Sequence, residues 1–123
     1  MAYARNLMGA GIPAAAAAAD VIAAVATAVS AAGTNQATAT TLKADANLVS
    51  TAAASSGVVL SDGQIGDSVF VFNDATGNNV NVYPPSSHKI NNLATNSPVV
   101  LGQNTSIWLL KVTATRWIGM LSA

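Results

Sequence analysis

Ser68-Val69-Phe70-Val71-Phe72, then Asn73-Asp74-Ala75-Thr76-Gly77-Asn78, then Asn79-Val80-Asn81-Val82-Tyr83: this run decides the fold class. Its first piece is β-branched and aromatic and apolar on both faces, as in a strand covered on both sides. Its last piece alternates, with Val80 and Val82 on one face and Asn81 on the other. The Asn- and Gly-rich stretch between them has turn chemistry, and it predicts a hairpin joining Phe72 to Val80.

The same rhythm extends in both directions. Gln36 to Leu42 and Ala46 to Val49 alternate small apolar and polar residues, while Val99 to Leu101, Ser106 to Val112 and Trp117 to Leu121 are stronger strand signals. Ser61-Asp62-Gly63, Pro84-Pro85-Ser86-Ser87 and Gly102-Gln103-Asn104 punctuate them. Strands recurring every ~8–12 residues with short turns predict a mainly β fold, a compact antiparallel β-sandwich or a jelly-roll or barrel-like domain. Its expected core is Phe70, Val71, Phe72, Trp108, Leu110, Trp117 and Ile118. The C-terminal run Arg116 to Leu121, apolar on both faces, is expected to be buried in the sheet or under another subunit.

Ahead of this lies a different texture. Residues 1–33 form an N-terminal arm with an Ala-rich segment, and residues 34–123 form the all-β domain. Pro13 suits a first helical turn, Ala14 to Ala32 holds the strongest helix former at most positions, and Gly33 is a natural stop. A short helix is expected there, with Ile22, Val25 and Val29 spaced as an oligomer seam. The arm is not expected to be a cleaved signal or a membrane span. It is built from Ala and Gly, with few large apolar groups to drive insertion, and Asp20 interrupts it at a cost of about 3 kcal/mol at a bilayer centre. Residues 1–12 have no internal periodicity to offset their ordering entropy. Their sizeable side chains, Tyr3, Leu7, Met8 and Ile12, and their one charge, Arg5, are therefore expected to anchor a partner.

Composition narrows the function classes. Only 8% of the 123 residues are charged, five Asp balancing five Lys and Arg, against roughly 25% in an ordinary soluble domain. A surface of Ser, Thr, Asn and Gln has little electrostatic steering and suits permanent residence in an assembly. The scattered cations make no basic patch, so no nucleic-acid partner is expected. The absence of cysteine excludes disulfides and thiolate chemistry.

No catalytic constellation emerges. His88 is the one histidine, and a loop histidine beside Ser86 and Ser87, without a G-x-S-x-G elbow, reads as solvated or turn-capping. The oxygen-rich loop from Asn73 to Asn79 lacks the order and the terminal Glu of a calcium loop. Trp108, Trp117, Tyr83, Phe70 and Phe72 lie within apolar strands, where packing explains them before a sugar platform does. No enzyme activity, cofactor, metal or small-molecule substrate is expected.

Several short pieces in order carry a resemblance. They are Gly33-Thr34-Asn35-Gln36-Ala37-Thr38-Ala39, Asn47-Leu48-Val49, Gly57-Val58-Val59-Leu60, Gly66-Asp67-Ser68-Val69-Phe70-Val71-Phe72-Asn73, Val80-Asn81-Val82-Tyr83-Pro84-Pro85, Lys89-Ile90-Asn91 and Arg116-Trp117-Ile118. The succession resembles a small domain of tailed-bacteriophage virion proteins, notably head decoration (cement) and head-fibre proteins, over residues 33–123. The resemblance implies a structural protein on the outer surface of the capsid. Its partner would be the major capsid protein, and it would staple neighbouring subunits as a homotrimer. The alternatives are a glycan- or receptor-binding module of a phage fibre and a secreted binding module.

Overall fold

In a computed structural model of the chain, the structure describes residues 25–122. Ten strands are present: β1 Val25–Ser30, β2 Thr40–Thr41, β3 Ala46–Thr51, β4 Gly57–Val59, β5 Ser68–Asn73, β6 Val80–Tyr83, β7 Lys89–Ile90, β8 Val99–Leu101, β9 Ser106–Lys111 and β10 Arg116–Leu121. Most of the strand segments expected from alternation are strands. Their arrangement is not the expected one.

From β1 to β8 the chain alternates between two sheets, odd strands in a six-stranded sheet A (order β1-β3-β5-β9-β10-β7) and even strands in a four-stranded sheet B (order β2-β4-β6-β8). β1, β3 and β5 run parallel, as do β2, β4 and β6. The architecture is a parallel β-solenoid of about four turns, which corrects the antiparallel sandwich, jelly roll or barrel. Successive turns are in phase: the same sequence spacing separates Ala46 from its partner Phe70 and Val58 from its partner Val82. The last turn is modified. The antiparallel hairpin β9–β10 fills sheet A between β5 and β7, and β8 lies antiparallel to β6.

The alternation misled on topology for a physical reason. A period of two reports which face of a strand is buried, and it is blind to the direction of the neighbour. The turn chemistry is equally ambiguous. The segment Asp74–Asn79 does not close a hairpin but carries the chain from sheet A to sheet B. Asn73 is fully buried at this corner, its Nδ2 donating to the carbonyls of Asn78 and Leu101 (both 3.0 Å) and its Oδ1 accepting from the Ala75 N–H (3.0 Å). The Asn78 side chain reaches back to the Ala52 carbonyl of the preceding turn (2.8 Å). These side chains supply the hydrogen bonds that a corner denies its own backbone.

The core lies between the sheets. Val49, Val71, Ile107, Leu109 and Trp117 point inward from sheet A, and Val58, Val80, Val82 and Leu101 from sheet B, with Leu42, Leu60, Ile90 and Val99 completing one cluster. Coils pack closely where side chains are small. A Cβ on Gly57 would lie 2.7 Å from the Asn81 carbonyl and 2.8 Å from the Tyr83 ring, so only glycine lets β4 approach β6 there.

No helix occurs among the described residues. Over its described part, the helix expected from Ala14 to Ala32 is strand β1, because pairing with β3 satisfies the backbone of this Ala-rich stretch and outweighs its helix propensity. Val25 and Val29 therefore form no helical seam. Register shifts between Ala26 and Ser30 put them on opposite faces: Val25 pairs with outward Ala46, and Val29 pairs with buried Val49 and packs against the core. The remaining seam residue Ile22 lies outside the described residues, as do Tyr3, Arg5, Leu7, Met8 and Ile12.

Candidate functional site

Two features stand out from the solenoid body, one polar and one apolar. The polar one joins four residues: Asp62 and His88 from the loops before β5 and β7, and Lys111 and Trp117 from the paired strands β9 and β10. The Trp117 Nε1–H donates to His88 Nδ1 (3.3 Å), and His88 Nε2 lies 4.0 Å from Asp62 Oδ2. Lys111 Nζ donates to Asp62 Oδ1 and to the Gly63 carbonyl, each at 2.7 Å. His88 is 7% exposed and Lys111 5%, so the expected solvated loop histidine is instead a buried one. Trp117 explains the difference, since its buried N–H requires an acceptor and His88 is the one supplied.

The Lys111 ammonium, hydrogen-bonded to Asp62, holds its carboxyl below the usual carboxylate range, against a smaller opposing effect of desolvation. Because Nδ1 accepts from Trp117, the neutral ring carries its proton on Nε2, pointing toward Asp62. Among the described residues, no serine or threonine hydroxyl hydrogen-bonds to this ring, so no nucleophile–base pair of the acyl-transfer kind is formed there. Its evident work is to satisfy a buried cation and a buried indole where the β9–β10 hairpin meets the loops before β5 and β7. Among the described residues, no group of three or more His, Asp or Glu side chains is placed to hold a metal ion.

The apolar feature is on the outer face of sheet A. Pairing aligns Val25 with Ala46, Ala46 with Phe70, Phe70 with Trp108, and Trp108 with Met120. One transverse row of apolar side chains thus crosses five adjacent strands, about 19 Å at the usual strand spacing. Its members are exposed: Val25 62%, Phe70 36%, Trp108 40% and Met120 58%. The half-buried residues of the flanking rows, Leu48–Phe72–Ser106 and Ser68–Leu110–Ile118, widen it. No charged residue lies in any of the three rows.

This face revises the expected core. Val71 and Trp117 are buried, but Phe70 and Trp108 are exposed, and Phe72, Leu110 and Ile118 are half-buried. Hydrophobicity on both faces of a strand implies cover on both sides, whereas among the described residues sheet A is covered on one. The sequence signal for the surface was present in that double-sided hydrophobicity of β5, β9 and β10. The sequence did not reveal that the outer side is open to solvent.

No family model matches the chain, and none of the curated proteins is significantly similar to it.

Proposed function

We propose that this chain is a structural virion protein, a small non-catalytic β-solenoid that holds to the outer surface of a phage capsid and links neighbouring capsid subunits. The observation that carries the reading is the uncharged apolar row Val25–Ala46–Phe70–Trp108–Met120. Soluble proteins that diffuse alone rarely leave a contiguous apolar strip across a whole sheet face, and such strips mark interaction surfaces. The scarcity of charge points the same way, because a protein fixed in a lattice needs neither steering nor self-repulsion. The Trp117–His88–Asp62–Lys111 group, lacking a nucleophile, supports a structural role for the interior.

In this reading the solenoid is the body. Tyr3, Arg5, Leu7, Met8 and Ile12, outside the described residues, are the proposed anchors on the major capsid protein. The test is co-sedimentation of the purified full chain with capsids assembled from the major capsid protein encoded alongside it. Saturable binding that is lost on deleting residues 1–12 is the expected result. Absence of binding by the intact, folded chain overturns the reading.

One observation favours a glycan-binding fibre module instead: the neighbouring exposed rings of Phe70 and Trp108 offer a flat stacking surface. The surroundings weaken it, since Val25, Ala46 and Met120 offer no side-chain hydrogen bonds to sugar hydroxyls. Quenching or shift of Trp108 fluorescence by soluble oligosaccharides would transfer the proposal to that class.

A further inference from the structure

We infer that the outer face of sheet A is covered by the same face of a second copy, in a two-fold pair whose axis runs along the strands through Phe70. The inference rests on the reading that this face is buried in the working assembly, and it names the occupant.

A face with no charged residue in three adjacent rows is matched by an uncharged surface, and a charged partner surface would be desolvated against it without compensation. This face is itself such an apolar, uncharged surface, so a second copy can supply the match. Isologous contacts of this kind are the commonest in homo-oligomers.

Along the row the side chains run medium, small, large, largest, medium: Val25, Ala46, Phe70, Trp108, Met120. A two-fold axis parallel to the strands at Phe70 reverses the row in the facing copy. Ala46 then meets Trp108, Val25 meets Met120, and Phe70 meets Phe70. The Ala46–Trp108 and Val25–Met120 contacts then have nearly equal combined volumes, with the larger Phe70 pair at the axis, a more even filling than like-on-like pairing gives. An axis lying along the row instead sets Trp108 on Trp108 and Ala46 on Ala46, a collision beside a void. Face-to-face sheets at the ordinary separation of about 10 Å accommodate the first arrangement.

Taking about 150–250 Å² for a large side chain, the observed exposures give roughly 350–400 Å² of apolar surface per copy from the row alone. Two copies, with the flanking Leu48, Phe72, Leu110 and Ile118, reach about 1,000 Å², the lower bound for a specific interface. A pair of modest affinity, forming at micromolar concentrations, is the corresponding expectation.

The chain has no native cysteine, so single-cysteine variants report contacts cleanly. Mixing Val25→Cys protein with Met120→Cys protein under oxidising conditions should give chiefly the mixed disulfide, and Phe70→Cys alone should cross-link to itself. In sedimentation equilibrium the wild-type chain should dimerise, and Trp108→Lys should weaken the dimer at least about tenfold. Ala46→Trp should also weaken it, and the size-swapped double variant Ala46→Trp/Trp108→Ala should recover dimerisation. Such rescue is not expected of substitutions that merely perturb folding. A wild-type monomer at about 100 µM, a trimer, self-cross-linking of Val25→Cys in preference to the mixed product, or no rescue by the size swap would each overturn the pair. A monomer that still binds capsids would sink the pair alone and leave the capsid reading standing.

Discussion

The two tryptophans occupy opposite environments, and truncating each in turn tests the solenoid quantitatively. Trp117 is 1% exposed, fills the interior between Ile90 and the β9 strand, and donates its indole N–H to His88. Trp117→Ala removes the largest buried side chain and leaves a cavity, a change that costs about 3–5 kcal/mol. The orphaned His88 Nδ1 adds about 1 kcal/mol at most, since the bond it loses is long. Trp108, 40% exposed on the outer face, loses only its partial contact with the sheet, worth about 1–2 kcal/mol. At about 4–8 °C per kcal/mol for a domain of this size, Trp117→Ala should lower Tm by at least about 12 °C and Trp108→Ala by about 4–16 °C, with the drop at Trp117 the larger of the two at the slope the protein shows. Urea and thermal unfolding followed by far-ultraviolet circular dichroism, at concentrations low enough to suppress association, give the free-energy and Tm differences. Equal costs, or a larger cost at Trp108, would refute the assignment of inner and outer faces.

Gly57→Ala should destabilise by about 1–3 kcal/mol, because its Cβ meets the Asn81 backbone, whereas Gly102→Ala, whose Cβ finds its nearest atoms at 3.9 Å, should be close to neutral; thermal melts of the two variants decide this. Asn73→Leu should cost about 2–4 kcal/mol by stranding the Asn78 and Leu101 carbonyls inside the corner, measured by urea titration. Asp62 is held below its ordinary value of 3.8 by Lys111, so its contribution is fully present above that pH and is lost as pH falls through the lower folded value. Melting temperature against pH should therefore drop on the acid side in the wild type and drop less in Asp62→Asn; parallel curves would remove Asp62 from the acid response.

Strand positions were legible because alternation at Val80–Asn81–Val82 and β-branched density at Ser68–Phe72 are direct records of side-chain burial. Strand direction was not, since Asn73 to Asn79 has the same residues whether it closes a hairpin or turns a solenoid corner. A strong internal repeat would have signalled the solenoid, but equivalent positions differ in chemistry: Val49 pairs with Asn73 and Ala46 with Phe70. The Ala-rich stretch around Val25 reads as helix by propensity, and only its tertiary pairing with β3 makes it a strand. The candidate surface was half visible. Phe70 and Trp108 stand out in the sequence as large aromatics, yet their exposure depends on the outer side of sheet A, which no described residue covers. The link between His88 and Trp117, residues far apart in sequence, had no local signal at all.

The central claim is that the outer face of sheet A, open in the isolated chain, is covered in the working assembly. Acrylamide quenching of the wild-type tryptophans reads this directly, because buried Trp117 stays protected in both states and the accessible fraction reports Trp108. Free protein at high dilution should show one quenchable tryptophan, and the same protein in the assembled particle should show none. A Trp108 that is quenched equally in both states would contradict the account.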